Sequence, residues 1–223
     1  YSRGPVKKLC KFNKFGNVEV RTWDSVAYRA IIGKNERLSK KMDSNTDGLI
    51  LNNNYAGLAE NYSLDSISVG GTREDGSTWS ENIEARSLAY ALSVALNQYA
   101  ISDDTEIRGR HLVAGLERAG IPSSEISKED FAKLLSTTKQ MWKDGFDEKK
   151  DLQLSRSWLV KAYGLTNPDM STGHGMDKHM DGNDVLFFDE AQDANSTISK
   201  IVTAQKMQKV IVGDSNQAIM EFR

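Results

Sequence analysis

The sequence predicts an α/β fold with a parallel sheet, and three observations carry that expectation. Two short stretches, "DVLFFDE" (184–190) and "KVIVGD" (209–214), have the continuous apolar character of parallel strands covered on both faces. Between them "NSTISKIVTAQ" reads as a helix capped by Asn195 or Ser196, so strand, helix and strand form one βαβ unit with a right-handed crossover. The middle of the chain carries longer helical patterns, so the α/β part is accompanied by a mainly helical region.

Along the chain, "VEVRTW" (18–23) alternates apolar and polar residues and predicts a short strand. "DSVAYRAII" (24–32) follows with Val26, Ala27, Arg29 and Ala30 at helical spacing, and Asp24 or Ser25 is the expected cap. Residues 34–83 are rich in Asn, Ser, Asp and Gly. The Gly-Gly and Asp-Gly pairs of "ISVGGTREDGSTW" favour a small hairpin or an ordered loop there. "NIEARSLAYALSVALNQYAI" (82–101) is the strongest helix signal, with Leu88, Leu92, Ala95, Leu96 and Tyr99 on one face. "DFAKLLSTTKQMWKDGF" (130–146) predicts a second helix, with Ser127 and Asp130 resembling a capping box. "SRSWLVKAYGL" (155–165) predicts a third, closed by Gly164.

Composition excludes several classes. A chain of 223 residues with 39% hydrophobic and 27% charged residues suits a folded domain rather than a disordered one. No apolar run is long enough to span a bilayer, so no membrane partner is expected. The single cysteine, Cys10, cannot build an internal disulfide framework. The formal net charge of −2 means that any nucleic-acid contact comes from a local patch rather than from the global field. His174 and His179 stand close together, but nothing supplies the remaining ligands of a zinc site.

The candidate chemistry lies at the ends of the two apolar strands. Asp189 and Glu190 follow the first, and Gly213, Asp214 and Gln217 follow the second. In an open α/β sheet, ligands bind at the carboxyl edge of the strands. An aspartate there can hold Mg²⁺ alongside substrate phosphates, and a neighbouring glutamate can deprotonate an attacking water. A glutamine is an uncharged donor suited to a terminal phosphate. The bland alternative for "DEAQD" is an acidic helix start stabilised by the helix dipole, but two such strand ends in one βαβ unit are hard to explain as caps.

"FFDEAQD" (187–193) followed by "VGDSNQAIMEFR" (212–223) resembles the Walker B motif and the next motif of UvrD/Rep-type superfamily 1 DNA helicases. "TWDSVAYRA" (22–30) and "FNK" (12–14) resemble two earlier motifs of that family, in the same order. "ALNQYAISDDTEI", "QMWKDGF" and "LSRSWLVKAYGL" resemble the branch that includes the F-box DNA helicases and their phage and bacterial relatives. The resemblance implies a partial RecA-like P-loop NTPase motor domain over residues 1–33 and 157–223, with an inserted helical subdomain over 34–156. It also implies ATP as substrate and Mg²⁺ as cofactor, with Asp189 as metal ligand, Glu190 as catalytic carboxylate and Gln217 as γ-phosphate sensor. Gln192, Asp193, Gly213 and Asp214 would support the nucleotide site. Asn13, Thr22, Trp23, Phe222 and Arg223 would line or couple to a single-stranded DNA path. The implied activity is 3′ to 5′ translocation and duplex unwinding on single strands and junctions. The implied location is the cytoplasm of a bacterial or phage-infected cell, or the nucleus of a eukaryote. A non-catalytic, helicase-derived module that binds DNA or protein is the competing reading.

The sequence also departs from the family. Asp24 stands where the family has His and would repel a phosphate, and Met220 stands where it has Tyr. No Gly-rich phosphate loop ending in Lys-Ser or Lys-Thr occurs, and no second motor domain follows. The phosphate-gripping half of the site is therefore expected in the remainder of a helicase chain. The 223 residues alone are expected to hydrolyse ATP poorly.

Overall fold

The computed structural model describes residues 18–42, 54–72, 74–172 and 184–214. In chain order the elements are α1 (Trp23–Ala27), α2 (Glu36–Lys40), α3 (Tyr55–Asn61), β1 (Ile67–Thr72), β2 (Thr78–Ile83), α4 (Ala85–Ile101), α5 (Gly109–Arg118), α6 (Lys128–Phe146), α7 (Arg156–Leu165), β3 (Val185–Phe188), α8 (Ser196–Ala204) and β4 (Gln208–Ile211). The protein is a mixed α/β structure with two small sheets, one antiparallel and one parallel, among the described residues. It divides into two compact units, Tyr1–Lys34 with Ala162–Arg223, and Asn35–Lys161. The boundary falls inside α7.

The central unit is built on α4. Leu88, Leu92, Ala95, Leu96 and Tyr99 are all buried, as the helical pattern predicts, and Ala89, Ala91 and Ala100 widen the buried face. α5 crosses α4 at Gly115, where an added Cβ would lie 2.2 Å from the Ala91 carbonyl oxygen and 2.9 Å from the Ala95 nitrogen. Glycine is therefore required there by backbone contact, although it weakens the helix that carries it. The expected hairpin forms, with β1 and β2 paired antiparallel from Ile67 opposite Ile83 to Thr72 opposite Thr78. α6 starts at Ser127, whose hydroxyl oxygen accepts from the Asp130 N–H at 3.0 Å. The Asp130 carboxylate then accepts from the same hydroxyl at 2.6 Å, so the two side chains satisfy each other.

Buried charges in this unit close helices. The Lys41 ammonium donates to the carbonyls of Asp144 and Asp147 at 2.8 and 2.6 Å, satisfying the end of α6. Burial pushes its pKa down, against the pull of Asp147, Asp144 and Asp151. Lys161 does the same for the turn after α4, donating to the carbonyls of Ser102 (2.7 Å) and Asp104 (2.5 Å) while sitting 4.5 Å from the Tyr99 ring centroid. Beside it His111, only 3% exposed, lies 2.8 Å from Asp104 Oδ2 through Nε2. Its Nδ1 accepts from the Arg108 N–H at 2.9 Å. That pattern fixes the neutral tautomer with the proton on Nε2. Desolvation accordingly holds the His111 pKa below its ordinary value despite Asp104.

In the other unit the structure corrects four sequence expectations, three of them outside the strands. Residues 18–22 form no strand, and Arg21 pairs with Glu19 at 2.6 Å. The helix cap is Thr22 rather than Asp24 or Ser25: its Oγ1 accepts from the Ser25 N–H at 3.3 Å, so Trp23 is already helical. A π-helical turn, Tyr28–Ile32, continues α1 to Gly33. Gly164 does not end α7, which runs on to Leu165. The closing residue is Asn167, in the left-handed region at φ 49°, while Gly164 lies against Ile201 of α8.

The expected strand–helix–strand order forms, with β3 and β4 parallel and Phe188 opposite Ile211. Asn195 caps α8 by accepting from the Ile198 N–H at 3.0 Å. Gln205, 3% exposed, anchors the helix end: its amide donates to the Ile201 and Pro168 carbonyls and accepts from the Met170 N–H. The strands are not covered on both faces, however. Phe187 is 73% exposed, and Val210, Ile211 and Val212 are exposed as well. Among the described residues β3 and β4 pair only with each other, and a two-stranded parallel sheet has too few neighbours to bury both faces. No described helix is long and apolar enough to cross a membrane.

Candidate functional site

Backbone geometry brings the two strand ends together. The Val212 N–H donates to the Phe188 carbonyl at 2.8 Å, which extends the ladder one step beyond β4. The chain then turns, and the Ala191 N–H donates back to the Val212 carbonyl at 2.9 Å. These two bonds set Asp189 and Glu190 beside Gly213 and Asp214. Ala191–Asp193 closes as a single 3₁₀ turn before Asn195 starts α8.

The turn places Glu190 in the left-handed region, at φ 55° and ψ 42°. A non-glycine residue held there stores strain, and such residues cluster at functional sites. Asp189 and Glu190 are both exposed. Asp189 Oδ1 accepts from the Glu190 N–H at 3.0 Å, which turns one carboxylate oxygen back on the main chain. The Glu190 carboxylate accepts from the Gln192 amide at 2.5 Å, and Gln192 Oε1 accepts from the Asp214 N–H at 3.1 Å. Asp193 is half-buried, and its Oδ1 is shielded from water with no hydrogen-bond donor among the described residues.

Six sequence-singled residues therefore meet at one sheet edge: Asp189, Glu190, Gln192, Asp193, Gly213 and Asp214. Trp23 comes near through a contact the sequence did not signal, and Thr22 caps the helix that carries it. The half-buried Trp23 ring stands edge-on to Phe188, with centroids 5.8 Å apart and planes at 79°. Phe188 thus joins α1 to the strand that carries the carboxylates. Period-two alternation along "VLFF" separates Phe187 from Phe188, but it names no partner for either. Asn13, Gln217, Phe222 and Arg223 lie outside the described residues, as do His174 and His179.

No group of three or more His, Cys, Asp or Glu is placed to hold a metal ion among the described residues. Magnesium bound with a nucleotide takes one or two protein carboxylates, the remaining ligands being phosphate oxygens and water. An exposed carboxylate at the strand end, as Asp189 is, fits that donor set; a cation held by protein alone does not.

The chain is similar to F-box DNA helicase 1 of Gallus gallus, at 27% identity over 137 residues. The match covers 59% of this chain and 12% of that protein. The similarity suggests a helicase-related chain. No family model matches the chain, and no solved structure matches it.

Proposed function

We propose that the chain carries the hydrolytic edge of an ATP-dependent DNA helicase of the UvrD/Rep type. In this reading the unit containing β3 and β4 is part of a RecA-like motor domain, and the helical unit is its insertion. The observation that carries the reading is the placement of Asp189 and Glu190 at the carboxyl end of β3, beside the Gly213–Asp214 end of the parallel strand β4. Similarity to a DNA helicase adds to it.

The roles follow from chemistry. Asp189 would hold Mg²⁺, which when bound neutralises charge on the nucleotide phosphates. Glu190 would accept the proton of the attacking water as its oxygen bonds to the γ-phosphorus and the bond to the ADP leaving group breaks. Gln217 would donate to the γ-phosphate. Trp23 is suited to stacking on bases regardless of their sequence, and its contact with Phe188 would link a single-stranded DNA path to the hydrolytic strand. Movement would run 3′ to 5′, with Thr22, Asn13, Phe222 and Arg223 as further DNA contacts.

The test is phosphate release by the full-length protein, with and without single-stranded DNA. Glu190→Gln should cut turnover by about 10²–10⁴-fold while leaving ATP binding in place, because an amide cannot take the proton. Undiminished turnover in that variant removes Glu190 from the chemistry. DNA binding by the wild type without any ATP turnover would favour the non-catalytic module.

A further inference from the structure

We propose that Gln192 is a positioning residue, a side-chain clip that ties the Glu190 carboxylate to the backbone of Gly213 and Asp214. The inference rests on the reading of Glu190 as the general base and adds how that base is held. Glu190 is exposed, and its flexible side chain projects from a turn. Left alone it would sample many rotamers, few of them productive. Gln192 removes that freedom from both ends. Its Nε2 donates to Glu190 Oε2 at 2.5 Å, and its Oε1 accepts from the Asp214 N–H at 3.1 Å. A carboxamide offers donor and acceptor together and adds no charge beside the carboxylate.

Gly213 is the other half of the clip. A Cβ there would lie 2.7 Å from Gln192 Oε1, 3.0 Å from the Gln192 nitrogen and 3.2 Å from the Ala191 Cβ. Any side chain would push Gln192 off the Asp214 N–H. Two main-chain bonds, Val212 to Phe188 and Ala191 to Val212, fix the spacing that the clip spans. The link therefore runs to the backbone of the 213–214 segment and not to the Asp214 side chain. A displacement of that segment carries the Glu190 carboxylate with it. Gln192, singled out in the sequence as a nucleotide-site residue, acts on the base rather than on the nucleotide.

The test uses the full-length protein with Gln192→Met, Gly213→Ala and the double variant. Gln192→Met keeps the length of the side chain and loses both hydrogen bonds. Each single variant should lower kcat by about a hundredfold, the cost of a misplaced catalytic group, with the KM for ATP unchanged. The double variant should be no slower than either single one, because both break one link. Losses that multiply, or a raised KM with kcat intact, would overturn the clip. An independent readout needs no nucleotide: the Gln192 side-chain amide resonance, identified by its loss in Gln192→Met, should shift in Glu190→Gln and in Gly213→Ala. No shift in either variant would also overturn it. A wild-type protein without ATPase activity would sink the functional reading while leaving the resonance test of the clip intact. An active wild type with a fully active Gln192→Met would sink the clip alone.

Discussion

The α4–α5–α6 core and the β3–β4 edge use the same residue types to opposite ends. In the core, Leu92, Leu96, Leu112 and Leu116 are fully buried, and titratable groups are turned on carbonyls and on each other: Lys41 on the end of α6, Lys161 on the turn after α4, the neutral His111 on Asp104. At the sheet edge Phe187, Val210, Ile211 and Val212 face solvent, and Asp189 and Glu190 are exposed. One region pairs Lys41, Lys161 and His111 with internal partners. The other leaves carboxylates open to solvent. Burial thus separates titratable groups that hold the fold from those available for chemistry.

The largest effect that sharpens this contrast is Leu92→Ala. It should destabilise the protein by about 2–5 kcal/mol in urea unfolding, the range for truncating a fully buried leucine. A loss below the bottom of that range would mean that the core collapses around the cavity. Acidification gives a smaller effect. The fold holds His111 neutral with its pKa lowered, so its contribution to stability is complete above the unfolded value of about 6.5. That contribution falls away as pH drops toward the depressed folded value, at no more than about 1.4 kcal/mol per pH unit. Asp104 responds at lower pH. Burial works against its charge, but Arg110, His111 and Arg108 hold its carboxyl below the usual range. Unfolding measured against pH should show the His111 component vanish in His111→Gln. The smallest effect is the most pointed: Phe187→Thr should change stability by no more than about 0.5 kcal/mol, as surface substitutions do. A loss as large as that of Leu92→Ala would show that the sheet face is covered in solution, and the contrast would fail.

Local signals account for what was legible in the sequence. The α4 face, the Gly-rich hairpin, the Ser127 cap and the βαβ unit all depend on residues a few positions apart. The helices that went unread depend on something else. Asn35 and Asn54 look like loop residues, yet each accepts from backbone N–H groups and starts a short helix, α2 and α3. Asparagine favours turns and caps alike, and only the packing that follows decides. In α5 the glycine that lowers helix propensity is the one that admits α4. At the candidate site the carboxylates and Gly213 were legible as a pattern. The Gln192 clip and the Trp23–Phe188 contact were not, because each joins residues more than twenty positions apart that only the folded chain brings together.

Under the proposed role of Glu190 as general base, its left-handed backbone sets stability against activity at a single codon. Holding a side chain there costs about 1–2 kcal/mol that glycine would not pay. A library selected only for heat resistance should therefore drift toward glycine at position 190, and Glu190→Gly should melt higher than the wild type while losing the carboxylate. Ranking variants by melting temperature would then discard the carboxylate that the proposed chemistry needs.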